Sequence, residues 1–128
     1  MKYLNFRAII NGYTNEIGFP LTYEDQIRYN LWLAEEAHAR SLSIGLKNDP
    51  DQIADLLSSF DWPLTEDCFG EGWCDQIKLF TQKGKPLFAA EYTDTGVEIE
   101  HLCQKAGKLD FSLILKNRKL DSWRQACP

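Results

Sequence analysis

The stretch Ser41-Leu42-Ser43-Ile44-Gly45-Leu46-Lys47-Asn48-Asp49-Pro50 decides the fold class. Its first six residues alternate between polar or small and apolar side chains, the period of a strand with one buried face. Lys47-Asn48-Asp49 then breaks the run. Asp49 suits the cap of a helix and Pro50 its first position, because proline lacks only an amide hydrogen that the first turn leaves unused. Ile53, Leu56, Leu57 and Phe60 follow at helical spacing and mark the buried side of that helix. The unit is strand, short loop, helix.

The same unit recurs outward from it. Upstream, Thr22 with Asp25 three residues later forms a capping box, and Ile27, Leu31, Ala34 and His38 give a helix over about 22 to 40 with those residues inward. Downstream, Trp62-Pro63-Leu64-Thr65 is extended and ends at Glu66. The loop Cys68-Phe69-Gly70-Glu71-Gly72-Trp73-Cys74 follows, then a short helix with Ile77, Leu79 and Phe80 that Gly84 stops. Pro86 to Ala90 is a strand ending at Glu91-Tyr92. Val97 to Ala106 is a helix with Ile99, Leu102 and Cys103 inward, closed by Gly107. Phe111 to Leu115 is a strand, and a terminal turn of helix carries Trp123. Strand starts near 42, 62, 86 and 111, each followed by a helical pattern, are the mark of parallel βα units. The fold class is α/β. A (β/α)8 barrel needs about 250 residues, so this chain of 128 holds about half of one, four to five βα units in a single domain. A five-stranded open sheet is the competing architecture.

Composition narrows the function classes. The chain has 44% apolar, 12% aromatic and 26% charged residues, as globular domains do, which excludes disorder and collagen-like repeats. A net charge of -5 and a pI near 5.0 repel phosphate backbones and anionic lipid, so nucleic acid and membrane surfaces are not expected partners. No apolar run approaches the roughly 20 residues of a membrane span. In Met1-Lys2-Tyr3-Leu4-Asn5-Phe6-Arg7, Asn5 and Arg7 break the apolar run of a signal peptide, so none is expected here. Four cysteines without zinc spacing make neither a disulfide scaffold nor a metal site, and no Ser/His/Asp grouping or glycine-rich phosphate loop occurs.

In parallel α/β folds ligands bind beyond the carboxyl ends of the strands. The residues there are Lys47, Asn48 and Asp49; Glu66 and Asp67; Glu91 and Tyr92; and Lys116, Asn117 and Arg118. Neighbouring strands are about 4.8 Å apart, so Glu66 and Glu91 are candidates for the paired carboxyl groups of a glycosidase. The same acids equally suit capping the next helix or pairing with Lys47 or Lys116. Tyr13, Phe69, Trp73 and Tyr92 supply aromatic faces for sugar rings, or pack. His38 reads as a structural histidine and His101 as a surface one.

Read together, Gly12-Tyr13 through Thr22, Trp32 to Arg40, Ser43 to Asp49, Glu66-Asp67-Cys68-Phe69, Gly84-Lys85-Pro86, Glu91-Tyr92, Ile114 to Arg118 and Leu120 to Arg124 resemble the C-terminal half of glycoside hydrolase family 114, the endo-α-1,4-polygalactosaminidases. The similarity runs from about residue 12 to Cys127. It implies a TIM barrel that cleaves galactosamine-rich polysaccharide with acidic residues at strand ends and without metal or organic cofactor. Glu66 then matches a catalytic glutamate, and Lys47, Asn48, Glu91 and Tyr92 match the cleft lining. Tyr13, Phe69 and Lys116 complete the candidate sugar-binding set. The chain departs from the family where Ala8-Ile9-Ile10-Asn11 precedes Gly12-Tyr13, in place of an Asp-Asn-containing stretch. Ala8 thus stands where the second catalytic carboxyl is expected, and the first three strands of the barrel are missing.

Two readings follow: a glycosidase-like domain that acts on or binds galactosamine-containing polysaccharide, or a non-catalytic module that binds carbohydrate or itself. Four strands, with a fifth at 4 to 10, cannot close a barrel, and an uncovered face calls for a homodimer. For the cysteines, a Cys68–Cys74 and Cys103–Cys127 pairing, permitted by the secreted family, stands beside four free buried thiols.

Overall fold

Parity along the strands builds the sheet. In the computed structural model, which describes residues 3–4, 12–14 and 18–128, six strands occur: β1 (Tyr3–Leu4), β2 (Ser43–Lys47), β3 (Trp62–Glu66), β4 (Leu87–Tyr92), β5 (Phe111–Lys116) and β6 (Arg124–Ala126). The helices are α1 (Tyr23–Ala39), α2 (Ile53–Leu56), α3 (Cys68–Glu71), α4 (Cys74–Ile77), α5 (Leu79–Gln82) and α6 (Ile99–Leu109). The strands lie side by side in chain order, β1 to β5 parallel and β6 antiparallel to β5. A doubly wound open sheet reverses its strand order part-way. Here the order never reverses, so right-handed crossovers put successive helices on one face. The predicted α/β class holds. The fifth strand expected at 4 to 10 appears as Tyr3–Leu4; the rest of that stretch, Ala8 included, lies outside the described residues.

The covered face carries the core. Ile44, Leu46, Leu87, Ala89, Leu113 and Leu115 point into it and meet Ala34, Ala37, Ile53, Leu56, Phe60, Ile77, Phe80, Leu102 and Ala106 from the helices. The alternate residues Trp62, Leu64, Phe88, Ser112 and Ile114 face the other way and are half buried or exposed, with Phe88 at 41%. On this open face the Trp62 and Phe88 rings meet edge-on, 5.7 Å between centroids. Gly45 lies beneath the Trp62 ring: a Cβ there would fall 2.2 Å from the indole, so only glycine lets the ring lie flat across β2.

Local chemistry explains the element ends. Thr22 and Asp25 form the predicted capping box of α1. Lys85 donates from Nζ to the carbonyls of Leu57 and Phe60, satisfying the chain where the α2 turn ends. Several boundaries differ from the sequence reading. Asp49 does not cap by its side chain; it adopts a left-handed conformation (φ 59°) ahead of a 3-10 turn at Pro50–Gln52. Gly107 does not close α6, which runs on to Leu109 and ends at left-handed Asp110. His38 is not inward: at the last turn of α1 it is partly exposed, with Nε2 3.1 Å from the Asp61 carboxylate. In place of the expected terminal turn of helix, Trp123 leads into β6, since pairing with β5 offers Arg124–Ala126 backbone partners that a single isolated turn lacks. The cysteines are paired, Cys68 with Cys74 and Cys103 with Cys127. No described helix is long and apolar enough to cross a membrane.

Candidate active site

Lys47 pairs in register with Leu64, and Glu66 with Ala90, so side-chain parity puts Lys47, Glu66 and Tyr92 on the open face at the carboxyl ends of three adjacent strands. There the Lys47 ammonium donates to Glu66 Oε2 at 2.7 Å. Lys47 is nearly buried, its side chain 11% exposed, while that of Glu66 keeps 26% open to solvent. From the next residue, Asn48 Oδ1 accepts the Glu66 backbone amide at 2.8 Å, fixing the point from which the carboxylate projects. On the other side lies the Tyr92 phenol. Burial first, then the neighbouring Glu66 carboxylate, push it up to about 12, so it stays a proton donor at neutral pH.

Glu91 is elsewhere. β4 ends at Glu91-Tyr92 as expected, and alternation along the strand turns Glu91 to the helical face. It is fully buried and accepts the backbone amides of Phe69 (2.9 Å) and Gly70 (3.2 Å), which hold the α3 turn on the sheet. Burial, only partly opposed by these amides, holds its pKa above the usual carboxylate value. The two candidate catalytic carboxyl groups therefore lie on opposite faces, and the expectation that they confront each other is corrected.

The other candidates divide in the same way. Asn48 and Tyr92 join Glu66. Lys116, in register with Tyr92, is tied through Nζ to the Asp121 carbonyl. Phe69 packs on Phe111 within the helical layer, 5.8 Å between centroids, rather than toward the open face. Tyr13 stacks edge-on against Tyr23 of α1, 5.3 Å away. Sequence reasoning placed Asp67 and Arg118 at strand ends but gave them no role. Arg118 grips Asp67 through Nη1 and Nη2 (2.6 and 3.1 Å) and Asp94 through Nε and Nη2 (2.8 and 2.9 Å). Its guanidinium lies 4.0 Å over the Tyr92 ring. Beside it opens a cavity of about 310 Å³ lined by Asp67, Gly70, Glu71, Thr95, Val97 and Arg118. Among the described residues, no three His, Cys, Asp or Glu side chains converge as a metal site would need.

The model of glycoside-hydrolase family GH114 matches residues 6–128. The chain belongs to this family. Among solved structures, the complex of Aspergillus fumigatus Ega3 with galactosamine is similar: 36% sequence identity and a TM-score of 0.80, over 91% of this chain and 50% of that one. The GH114 chain described here therefore spans half the length of Ega3. No curated protein matches it.

Proposed function

We propose that this GH114 chain forms one half of a (β/α)8 glycosidase barrel whose cleft takes galactosamine-containing polysaccharide, and that Glu66 is its reacting carboxyl group. The observation that carries the reading is the Lys47–Glu66–Tyr92 set on the open face at the strand ends, within a GH114 fold. Hydrolysis of a glycosidic bond needs a carboxyl group held against the scissile oxygen or the anomeric carbon. Lys47 pairs with the Glu66 carboxylate and Asn48 fixes its backbone, which leaves part of the carboxylate accessible. Ega3 in complex with galactosamine supports an amino sugar as the ligand, and the net charge of -5 suits a cationic one. Glu91, on the other face, serves as a structural anchor of α3.

The second carboxyl group of a glycosidase pair is the gap in this set, since position 8 is alanine. We further propose that a second copy of the chain packs on the open face and supplies the other wall of the cleft. The specific observation behind a non-catalytic reading, binding without cleavage, is this same alanine. Release of reducing ends from a galactosamine polymer, compared between the native chain and Glu66→Gln, decides. Loss of release in the variant is expected. Equal release from both overturns the role of Glu66, and binding without release from either makes the chain a carbohydrate-binding module.

A further inference from the structure

We infer that Arg118 is the positioning residue of the site, clamping the ends of β3 and β4 so that Glu66 and Tyr92 stay in register. The inference rests on the proposed role of Glu66 but is carried by separate contacts. Glu66 and Tyr92 sit on the last residues of adjacent strands, where ladder hydrogen bonds run out and the backbone frays most easily. Their side chains stay beside each other only if the two strand ends move together. Arg118, just beyond β5, binds the residue after Glu66 and the second residue after Tyr92 with one guanidinium. Asp67 is left-handed (φ 58°), a conformation disfavoured for a residue with a Cβ, and both of its carboxylate oxygens are held by Arg118. The planar fork makes four hydrogen bonds to two carboxylates and covers the Tyr92 ring, which an ammonium cannot do. Around the Tyr92 side chain stand Glu66 and Asp67 from β3 and its end, and Arg118 beyond β5. Lys116, the register partner of Tyr92, points its ammonium away to Asp121. Arg118 is thus the cation set against the Tyr92 ring, and its hydrogen bonds go to Asp67 and Asp94 rather than to Glu66. Its effect on chemistry passes through position, where small displacements are costly.

The test is NMR on the full 128-residue chain labelled with 13C at Glu and Tyr and 15N throughout. Arg118→Gln is expected to shift both the Glu66 Cδ and Tyr92 Cζ resonances, and to speed amide exchange at Asp67 and Thr93–Thr95 by about tenfold. Arg118→Lys keeps the charge without the fork and is expected to leave the shifts displaced. Glu36→Gln, which breaks the exposed Arg40 pair on α1, is expected to leave them in place. Unmoved Glu66 and Tyr92 resonances in folded Arg118→Gln would overturn the proposal, as would full restoration by Arg118→Lys. If Arg118→Gln does not fold, Asp94→Asn, which removes one of the two anchors, is read by the same criteria. Titration with a galactosamine oligosaccharide separates the two readings. If the sugar leaves Glu66 unperturbed while the Arg118 variants still displace the pair, the substrate assignment falls and the clamp stands.

Discussion

Glu91 and Glu66 show how one residue of register divides two identical side chains into different roles. Both follow an apolar run at a strand end, and the sequence marks both as candidates. What the sequence hides is the face each carboxylate takes: alternation along the ladders sends Glu91 to the helical side and Glu66 to the open one. Glu91 then lies buried with two backbone amides as donors. Removing it in Glu91→Ala leaves the Phe69 amide without its partner, at a cost of about 1–3 kcal/mol, read as a lower urea midpoint at neutral pH. Its pH dependence has a definite sign. A carboxyl whose folded pKa lies above the unfolded value stabilises most when protonated. Its contribution is present below the ordinary value of 4.5 and declines as pH rises through the raised folded pKa. Midpoints measured on both sides of that window should converge in Glu91→Ala relative to the native chain; an unchanged slope would show that another group titrates. Lys47 and Asn48, by contrast, were legible at residue scale because a strand-to-helix loop with polar ends has few places to put them.

Among the elements, β2 and α1 were readable because alternation and the Thr22–Asp25 box are local signals, complete within a few residues. The C-terminal segment was not. Arg124-Gln125-Ala126 favours helix by intrinsic preference, and only the non-local ladder to Ile114–Lys116 makes it a strand. Cys127 adds two further long-range ties, a hydrogen bond from its backbone amide to the Leu113 carbonyl at 3.1 Å and the disulfide to Cys103 of α6. The two disulfides are expected to differ in weight, because the entropy removed from the unfolded chain grows with the loop closed. Separations of 24 residues for Cys103–Cys127 and 6 for Cys68–Cys74 give about 3.5 and about 2.4 kcal/mol. Thermal melts of the two double Cys→Ser variants under non-reducing conditions check the order. A larger loss from the Cys68/Cys74 variant would mean that the short bridge acts on the folded state, through the α3 turn and its hold on Glu91.

At the scale of the molecule, a singly wound sheet with helices on one side leaves Trp62, Leu64, Phe88 and Ile114 on the other face, a core-like surface that no second layer covers among the described residues. If a second copy covers it, light scattering gives roughly twice the chain mass, near 30 kDa, and Phe88→Asp returns the 14.8 kDa species without unfolding the helical side. A native chain that stays monomeric at micromolar concentration ends that idea. The reversed direction of β6 sets what such an assembly can become. Filaments built by strand addition need two receptive margins on every subunit, one to give and one to take. Here one margin is a three-residue strand that carries Arg124, runs against its neighbours and ends in cross-linked Cys127 and Pro128. That margin is a poor acceptor for a further strand. The fold thereby discourages strand addition at the β6 margin.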